Sequence, residues 1–285
     1  MICAAALLAA TSMLAKILGN DLYGPALHPM QVSAGRFVFA FSALLIVAPF
    51  MKLKLTRDTP YKWHLLRSTL GWLGVSFTFA AAAQMPLAEA TAITFLSPIC
   101  TMIFAIPFLG EKVGPVRWSA AAISLAGALI LMRPGTDAFQ FAALLALAAA
   151  LLIGLEMTVT KRLSGSEPAI RILFVNNTFG ATISVIAASF VWVQPTFEQW
   201  LLLVLLGLIM VTAQSCFIQA MKSADASFAV PFFYLTLVFA AAYDFGLFGV
   251  IPEPISWVGA AVIIAGALFL AYRERQLERL NRTRT

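Results

Sequence analysis

The chain has little charge and few of the residues from which metal sites and disulfides are built. Charged side chains make up 11% of its 285 residues, against about 25% in soluble domains. Its two histidines, His28 and His64, form no metal-binding pattern, and its three cysteines show no paired spacing. These shortages argue against a large soluble domain and a disulfide framework, and we expect no metal and no cofactor.

Motifs for nucleotide binding and hydrolysis are also missing from the sequence. There is no HExxH, no GxSxG and no GxxxxGKS/T. Because no segment is large and polar enough to hold a nucleotide, an ATP-driven pump is not expected. A small intramembrane enzyme acting on a lipid-like substrate needs clustered acids or histidines, whereas the acids here are scattered. We expect no enzyme, and keep that class and a structural membrane protein as the alternatives to transport.

Apolar sequence fills the chain instead, at 61% of its residues. A membrane-spanning helix needs about 20 mostly apolar residues. Alternating barrel strands are absent, so helices are the remaining way to satisfy every backbone group in lipid. The sequence therefore predicts an all-α membrane protein with ten transmembrane helices, at residues 2–19, 29–50, 64–83, 86–109, 115–132, 138–160, 170–193, 199–220, 226–248 and 255–272.

The first predicted span could be a transmembrane helix or the apolar core of a signal peptide. A signal peptide begins with a basic region, but no lysine or arginine precedes Lys16. The apolar stretch runs on to Gly19, which is long enough to approach a full span. We therefore expect this segment to be retained as a transmembrane helix.

Basic residues lie on one side of the predicted topology. Sixteen of the 19 lysines and arginines lie in segments that follow even-numbered helices or in the C-terminal tail. Basic loops stay in the cytoplasm, so we expect both termini there, in a multi-pass plasma-membrane protein for which a bacterial inner membrane is the suspected setting. The net charge of +6 indicates contact with anionic membrane lipids and not nucleic-acid binding. A homodimer is left open.

The two halves of the chain share an internal repeat. Residues 118–131 and 257–270 are identical at eight of 14 aligned positions, including Ala-Gly-Ala-Leu at 126–129 and 265–268. Spans four and five thus correspond to spans nine and ten, which predicts five-helix repeats at 1–134 and 135–285. An odd number of helices per repeat makes the repeats inverted, and inverted repeats are typical of transporters that alternate access around a midplane site.

A set of motif residues lies in the first repeat, with Lys16, Arg36 and Ala40 upstream of Pro98, Gly110-Glu111-Lys112, Pro115, Trp118 and Ala126-Gly127-Ala128-Leu129. With these residues the whole chain resembles the EamA family of the drug/metabolite transporter superfamily. One departure is Val250, which follows Gly249 where the second repeat would carry the acid.

The resemblance implies a secondary transporter that moves a small organic metabolite across the plasma membrane by alternating access. Amino acids and their derivatives, nucleosides and S-adenosylmethionine are substrate classes of such families. The small-molecule solute is therefore the expected partner, and the resemblance does not choose among these classes.

Ionisable side chains inside spans are costly and usually face a cavity or a partner. Arg36 lies seven residues inside its span and is the leading candidate to bind the solute, with snorkelling to the surface as the alternative. Lys16 is a weaker candidate, because it lies about one turn from the end of its span. Asp244 could pair with Arg36 or reach water, and water is favoured.

Several uncharged side chains inside spans are further candidates for solute binding. Trp72 lies near the middle of its span, where its ring suits stacking on a planar or cationic ligand, and core packing is the alternative. Asn176, Asn177, Gln214 and Tyr234 could line a solute path or equally hydrogen-bond between helices, and Asn177, Gln214 and Tyr234 are the ones taken as candidate binding residues.

Glu156 is the candidate for proton coupling, because it is the acid placed well inside a span. A local salt bridge with Lys161 or Arg162 is the favoured alternative. Pro98 and Pro231 lie in the duplicated spans four and nine, where proline frees a backbone carbonyl and permits a kink. Both are candidate gating residues, and fixed helix geometry is the alternative.

Overall fold

A computed structural model describes residues 1–50, 59–82, 91, 93–132, 141–249 and 254–282 of the chain. Within these ranges the backbone is helical almost throughout and forms no β-strand, which confirms the expected all-α class. A 3₁₀ turn at Val230–Tyr234 joins the ninth and tenth helices. The helices are α1 (Ile2–Leu18), α2 (Pro29–Val47), α3 (Tyr61–Ala82), α4 (Ser97–Leu109), α5 (Pro115–Met132), α6 (Phe141–Ser166), α7 (Ala169–Ser189), α8 (Phe197–Ser223), α9 (Ala226–Ala229), α10 (Leu235–Phe248) and α11 (Pro254–Arg282).

Most helix boundaries agree with the predicted spans to within a few residues. The last helix runs ten residues past the predicted end of its membrane span at 272, and polar side chains three and four apart pair in the first turn beyond that point. Arg273 Nη1 donates to Gln276 Oε1 at 2.9 Å there, and Gln276 Nε2 donates to Tyr272 Oη at 2.8 Å. Parts of the sequence predictions lie outside the described residues, namely 86–90, 138–140, the repeat boundary at 134–135, Arg133 and Val250.

Five helical segments are long and apolar enough to cross a membrane, by length and composition. They are Pro29–Val47, Ala142–Ser166, Ala169–Ser189, Phe197–Ser223 and Ala226–Leu247, and the shorter apolar helices include α1 and α4. The outer surface of the bundle is also apolar, since large side chains such as Ile46, Leu144, Ile186 and Phe197 are more than half exposed. A surface of this kind suits lipid and is unfavourable in water.

The main packing contacts join helices that precede residue 133 to helices that follow residue 140. α5 packs along α11, α3 and α4 along α6, α2 along α7 and α8, and α1 along α8 and α10. Gly127 permits the α5–α11 contact, because a Cβ there would lie 2.7 Å from Ile263 N and 2.8 Å from Gly259 O. The described helices therefore form one bundle in which the two halves interlock.

The loop after α1 and the loop before α8 meet at one end of this bundle, which we call the distal end. Gln31 Nε2 donates to Val193 O at 2.6 Å, and Val193 N donates back to Gln31 Oε1 at 3.0 Å. Thr196 Oγ1 donates to Tyr23 O at 2.8 Å. These bonds tie the start of α2 to the start of α8.

The other end, which we call the terminal end, holds the start of α1 and the end of α8. The thiols of Cys3 and Cys216 lie 3.9 Å apart there. Lys161 Nζ donates to Met221 O at 2.7 Å and to Ala224 O at 2.5 Å. A lysine near the end of α6 thus binds the last carbonyls of α8, where a positive charge is favourable.

Candidate functional site

A cavity of about 290 Å³ lies between α2, α3, α6, α7 and α8. Its wall is mostly apolar, and near the distal end it includes Met30 and Ala187. The more polar or aromatic side chains on the wall are Arg36, Phe37, Arg67, Ser68, Trp72, Glu156, Asn176, Phe179 and Gln214. A mostly apolar cavity with a few polar groups that converge on it is the usual form of a small-molecule site.

The cavity extends along much of the length of the helices that line it. Arg36 lies seven residues after the start of α2 and Arg67 six residues after the start of α3. At 1.5 Å per residue they are about 10 Å inside the distal end and about 9 Å inside the terminal end. The two arginines therefore mark the distal and terminal parts of one space.

Arg36 faces this cavity and not only the membrane surface. Its guanidinium carbon lies 4.3 Å from the centre of the Phe37 ring, a cation–π contact. Arg36 also lines a second cavity of about 390 Å³, which the distal parts of α1 and α2 border. Ser33 and Val75 line both cavities as well, so Arg36 lies on the wall between them.

Trp72 also faces the cavity. Its side chain is 51% exposed and lines the wall, which is inconsistent with the core packing that the sequence left as the alternative. Phe179 of α7 lines the same space and is 37% exposed. Two partly uncovered aromatic rings therefore border a cavity of small-molecule size.

Arg67 forms a buried ion pair with Glu156 that the sequence analysis missed. Arg67 Nε lies 3.0 Å from Glu156 Oε1 and donates to Thr160 Oγ1 at 2.7 Å, and Thr160 donates to Glu156 at 3.0 Å. The salt bridge expected for Glu156 exists, but its partner is neither Lys161 nor Arg162. Lys161 binds the end of α8, as described above.

The ion pair depends on a close approach of α3 to α6. A Cβ at Gly74 would lie 2.7 Å from Ile153 Cγ1, so a larger residue there would push the helices apart. Arg162, the other basic residue expected near Glu156, lies over the Trp63 ring at 4.4 Å. The predicted third span, 64–83, includes Arg67 near its start but gave it no part in the site; Arg67 lies in α3 and is 4% exposed.

Asn176, and not Asn177, faces the cavity from α7. Asn176 Oδ1 accepts a hydrogen bond from Ser68 Oγ at 3.3 Å. Asn177 is buried and donates to Leu173 O within its own helix at 2.8 Å. Gln214 of α8 lines the cavity, as its candidate role requires.

Three buried polar atoms on residues that line the cavity have no hydrogen-bond partner among the described residues. They are Arg36 Nε, Arg67 Nη1 and Gln214 Oε1. An unpaired buried polar group costs about 1–3 kcal/mol, so native proteins seldom keep one without a use for it. The polar groups around this space are therefore not fully paired with one another in the described part of the chain.

Lys16 and Tyr234 lie away from both cavities. Lys16 Nζ pairs with Asp244 Oδ1 at 2.8 Å, with both side chains more than a third exposed. Asp244 therefore forms its ion pair with Lys16 and not with Arg36, while its side chain remains partly exposed. Tyr234 is fully buried, and its hydroxyl donates to Phe95 O at 2.8 Å. Neither Lys16 nor Tyr234 is on the walls described above.

The two candidate gating prolines occupy helix boundaries. Pro98 is in the first turn of α4, where a missing N–H costs nothing. Pro231 is in the 3₁₀ turn that separates α9 from α10. Both prolines are buried and mark breaks between helical segments, and their gating role stays a prediction.

The terminal end is joined by a cluster of polar contacts that we call the clasp, made of Glu111, Arg117, Asp225, Ala226 and Ser227. The Glu111 carboxylate accepts from Ala226 N at 2.7 Å, Ser227 N at 3.0 Å and Ser227 Oγ at 2.6 Å. Arg117 Nη1 lies 2.9 Å from Asp225 Oδ2 and donates to Ser227 Oγ at 2.6 Å. The clasp links the turn between α4 and α5 to the start of α9.

The fold and the cavity thus define a multi-pass helical membrane protein with a solute-sized space inside its bundle. Residues 1–133 and 140–272 each match the model of the EamA-like transporter family. The chain belongs to this family, which confirms the resemblance read from its motifs. Family membership places it among transporters and not among enzymes.

Two relatives of known function cover most of the chain. A riboflavin transporter of Rhizobium johnstonii is 35% identical, over 87% of this chain and 83% of that protein. An S-adenosylmethionine uptake transporter of Rickettsia bellii is 29% identical, over 95% of this chain and 93% of that protein. A solved crystal structure has the same fold, with a TM-score of 0.80 over 97% of both chains at 21% identity. The protein is a membrane transporter of small metabolites.

Proposed function

We propose that the protein transports a flavin of the riboflavin type by alternating access between two inverted five-helix repeats, 1–134 and 135–285. The observation that carries the proposal is the half-exposed Trp72 beside unpaired polar atoms of Arg36 and Gln214 in one cavity. The 35% identity to a riboflavin transporter supports the same substrate class. The distribution of basic residues supports a cytoplasmic location for both termini, and the bacterial relatives support a bacterial inner membrane.

The chemistry of the cavity suits a flat heteroaromatic ring system. Trp72 and Phe179 offer ring faces for offset stacking. A flavin ring carries carbonyl and ring-nitrogen acceptors and one imide N–H donor. The acceptors match the guanidinium of Arg36, and the imide N–H matches the side-chain amide of Gln214.

The charge of the cavity disfavours S-adenosylmethionine. Two arginines and one glutamate line the wall, which leaves an excess of one positive charge. In a site of low dielectric this excess repels the sulfonium cation of that compound. A neutral flavin meets no such repulsion. S-adenosylmethionine, the solute in the name of the Rickettsia relative, is therefore the second candidate substrate in the tests below.

Alternating access is supported by the way in which the halves pack. Every main helix contact joins one half to the other, so a small rotation of one half changes both ends of the cavity. The clasp holds the terminal end together in this conformation. Release of the clasp would free the turn between α4 and α5 from α9 at the cytoplasmic end, and α4 packs along α6, which lines the cavity.

Flavin fluorescence tests the proposed substrate. Riboflavin titrated into purified protein in nanodiscs should lose fluorescence as it stacks on Trp72. Trp72→Leu should weaken binding about fivefold, the effect of losing a stacking contact of about 1 kcal/mol. Trp257→Leu is the matched control, because Trp257 is 59% exposed on α11 and lines neither cavity. The proposal would be contradicted if the protein bound S-adenosylmethionine but did not quench riboflavin fluorescence. It would also be contradicted if Trp72→Leu and Trp257→Leu lost riboflavin affinity equally.

A further inference from the structure

The part of the cavity nearest the terminal end is built from polar side chains of three helices. Arg67 and Ser68 come from α3, Glu156 from α6 and Asn176 from α7, and all four line the cavity. Arg67 Nε lies 3.0 Å from Glu156 Oε1, and Ser68 Oγ donates to Asn176 Oδ1 at 3.3 Å. We call these four residues the polar floor.

The polar floor has hydrogen-bonding capacity that the described residues do not use. Arg67 is 4% exposed, and its Nε is shared between Glu156 and Thr160. Its Nη1 is buried and has no hydrogen-bond partner in the described part of the chain. A guanidinium that served only to neutralise Glu156 would be expected to have all its buried donors paired. Arg67 therefore brings to the cavity wall a guanidinium whose hydrogen-bonding capacity the described residues do not fully use.

The two charges of the polar floor restrict the group that it accepts. A phosphate or carboxylate pairs with Arg67 but is repelled by Glu156, and an ammonium group has the reverse problem. A hydroxyl is neutral and both donates and accepts. Neighbouring hydroxyls can accept from Arg67 and donate to Glu156 or Asn176 without repulsion.

We propose that the polar floor is the subsite for the hydroxylated side chain of the flavin. Arg67 binds the hydroxyls, and Glu156 excludes a side chain that ends in a phosphate. The inference rests on the proposed function, which places the ring system against Trp72 in the distal part of the cavity. Arg36 is about 10 Å from the distal end and Arg67 about 9 Å from the terminal end, so in a hydrocarbon core about 30 Å thick they differ in depth by about 10 Å. This separation suits a flavin ring near Arg36 and its hydroxylated side chain near Arg67.

Direct binding of three flavins to the full-length protein in nanodiscs tests this subsite, since each flavin is itself fluorescent. The probes are riboflavin, a flavin with a methyl group in place of the hydroxylated side chain, and the 5′-phosphate of riboflavin. Wild-type protein should bind riboflavin about tenfold more tightly than the methyl flavin. This difference corresponds to the free energy of one or two hydrogen bonds to a charged group. It should bind the phosphate more weakly than riboflavin.

Two variants test the hydroxyl contacts. Arg67→Lys keeps the charge but loses the Nη1 donor, so riboflavin affinity should fall about tenfold while the methyl flavin changes by less than about twofold. Asn176→Ala leaves the ion pair intact and should lower riboflavin affinity about threefold, again with the methyl flavin unchanged. Arg162→Lys is the matched control, because Arg162 lies over Trp63 and not on the cavity wall.

Glu156→Gln tests the exclusion of phosphate by a gain of binding. Removing the negative charge should raise the affinity for the 5′-phosphate at least about fivefold relative to riboflavin, because Arg67 is then unopposed. Misfolding cannot produce a gain of this kind. An unchanged ratio of phosphate to riboflavin affinity would overturn the role of Glu156.

The remaining outcomes separate the subsite from the proposed function. Equal loss of riboflavin and the methyl flavin in Arg67→Lys and Asn176→Ala would show that the polar floor only supports the fold. Equal affinity of wild-type protein for these two flavins would overturn the subsite and leave flavin transport standing. No binding of any flavin to wild-type protein would overturn both.

Discussion

Glu111 and Ser227 join two parts of the chain that are more than 100 residues apart, through the Glu111 carboxylate. One carboxylate oxygen accepts from both the backbone N–H and the hydroxyl of Ser227, at 3.0 and 2.6 Å. The other accepts from Ala226 N at 2.7 Å. A single side chain of the Gly-Glu-Lys motif thus satisfies three donors at the start of α9.

Glu111→Ala should loosen the terminal end of the bundle. The three lost hydrogen bonds involve a charged acceptor, so the closed arrangement should weaken by about 2–3 kcal/mol. Cys100 is buried in α4, and its labelling rate by a thiol reagent should rise at least about tenfold in a Cys3→Ser/Cys216→Ser background. Glu198→Ala is the control, because Glu198 is exposed at the distal end. Unchanged labelling in Glu111→Ala would contradict a closing role for the clasp.

Arg36→Ala should keep expression and membrane insertion but reduce transport at least about tenfold, because the cavity loses a fixed donor to the solute. Arg36→Lys should recover only part of the activity, since a point charge replaces a planar fork. The measurement is initial uptake at equal membrane abundance. Wild-type uptake by the Ala variant would show that Arg36 only reaches the membrane surface.

Glu156→Gln separates proton coupling from exchange. If Glu156 carries protons, a pH gradient across liposomes should accelerate riboflavin uptake by wild-type protein but not by the Gln variant. Solute exchange without a gradient should stay within about threefold of wild type, because Gln keeps the shape and the hydrogen-bond acceptor. A full response of the variant to the gradient would show that Glu156 is not the proton carrier.

The helices could be predicted from the sequence because apolar runs of spanning length leave few alternatives in lipid. The break inside the ninth span could not be predicted from the sequence, since Pro231 permits a 3₁₀ turn but does not fix its length. The extent of α11 beyond residue 272 was also missed, because the apolar pattern ends there while helix propensity continues.

The site was predicted in part, because hydropathy gives the depth of a residue but not its direction. Arg36, Trp72 and Gln214 face the cavity, whereas Lys16 and Tyr234 do not. Arg67 was missed because it lies near a helix end, where lysine and arginine normally belong to a loop, and its partner is 89 positions away.

Helical spacing is the signal that could have separated the side chains that face the cavity from those that do not. Asn176, Gly180 and Ser184 are four residues apart and form the stripe of α7 that lines the cavity. Asn177 is one position off this stripe and points elsewhere. On α3, Ser68, Trp72 and Ser76 follow the same spacing.

The orientation of the protein is a further prediction, which follows from the basic residues on one side of the predicted topology. A reporter that is active only outside the cytoplasm should be silent when fused after Arg284 and active when inserted near Pro195. The reverse pattern would place the clasp on the outer face and invert the proposed direction of opening.

Counterflow of riboflavin tests the central claim most directly. Proteoliposomes loaded with unlabelled riboflavin are diluted into a trace of labelled riboflavin, so that a carrier must exchange one for the other. The wild-type protein should accumulate label transiently above the equilibrium level, while Arg36→Ala and protein-free liposomes should not. Counterflow with S-adenosylmethionine but none with riboflavin would contradict the account.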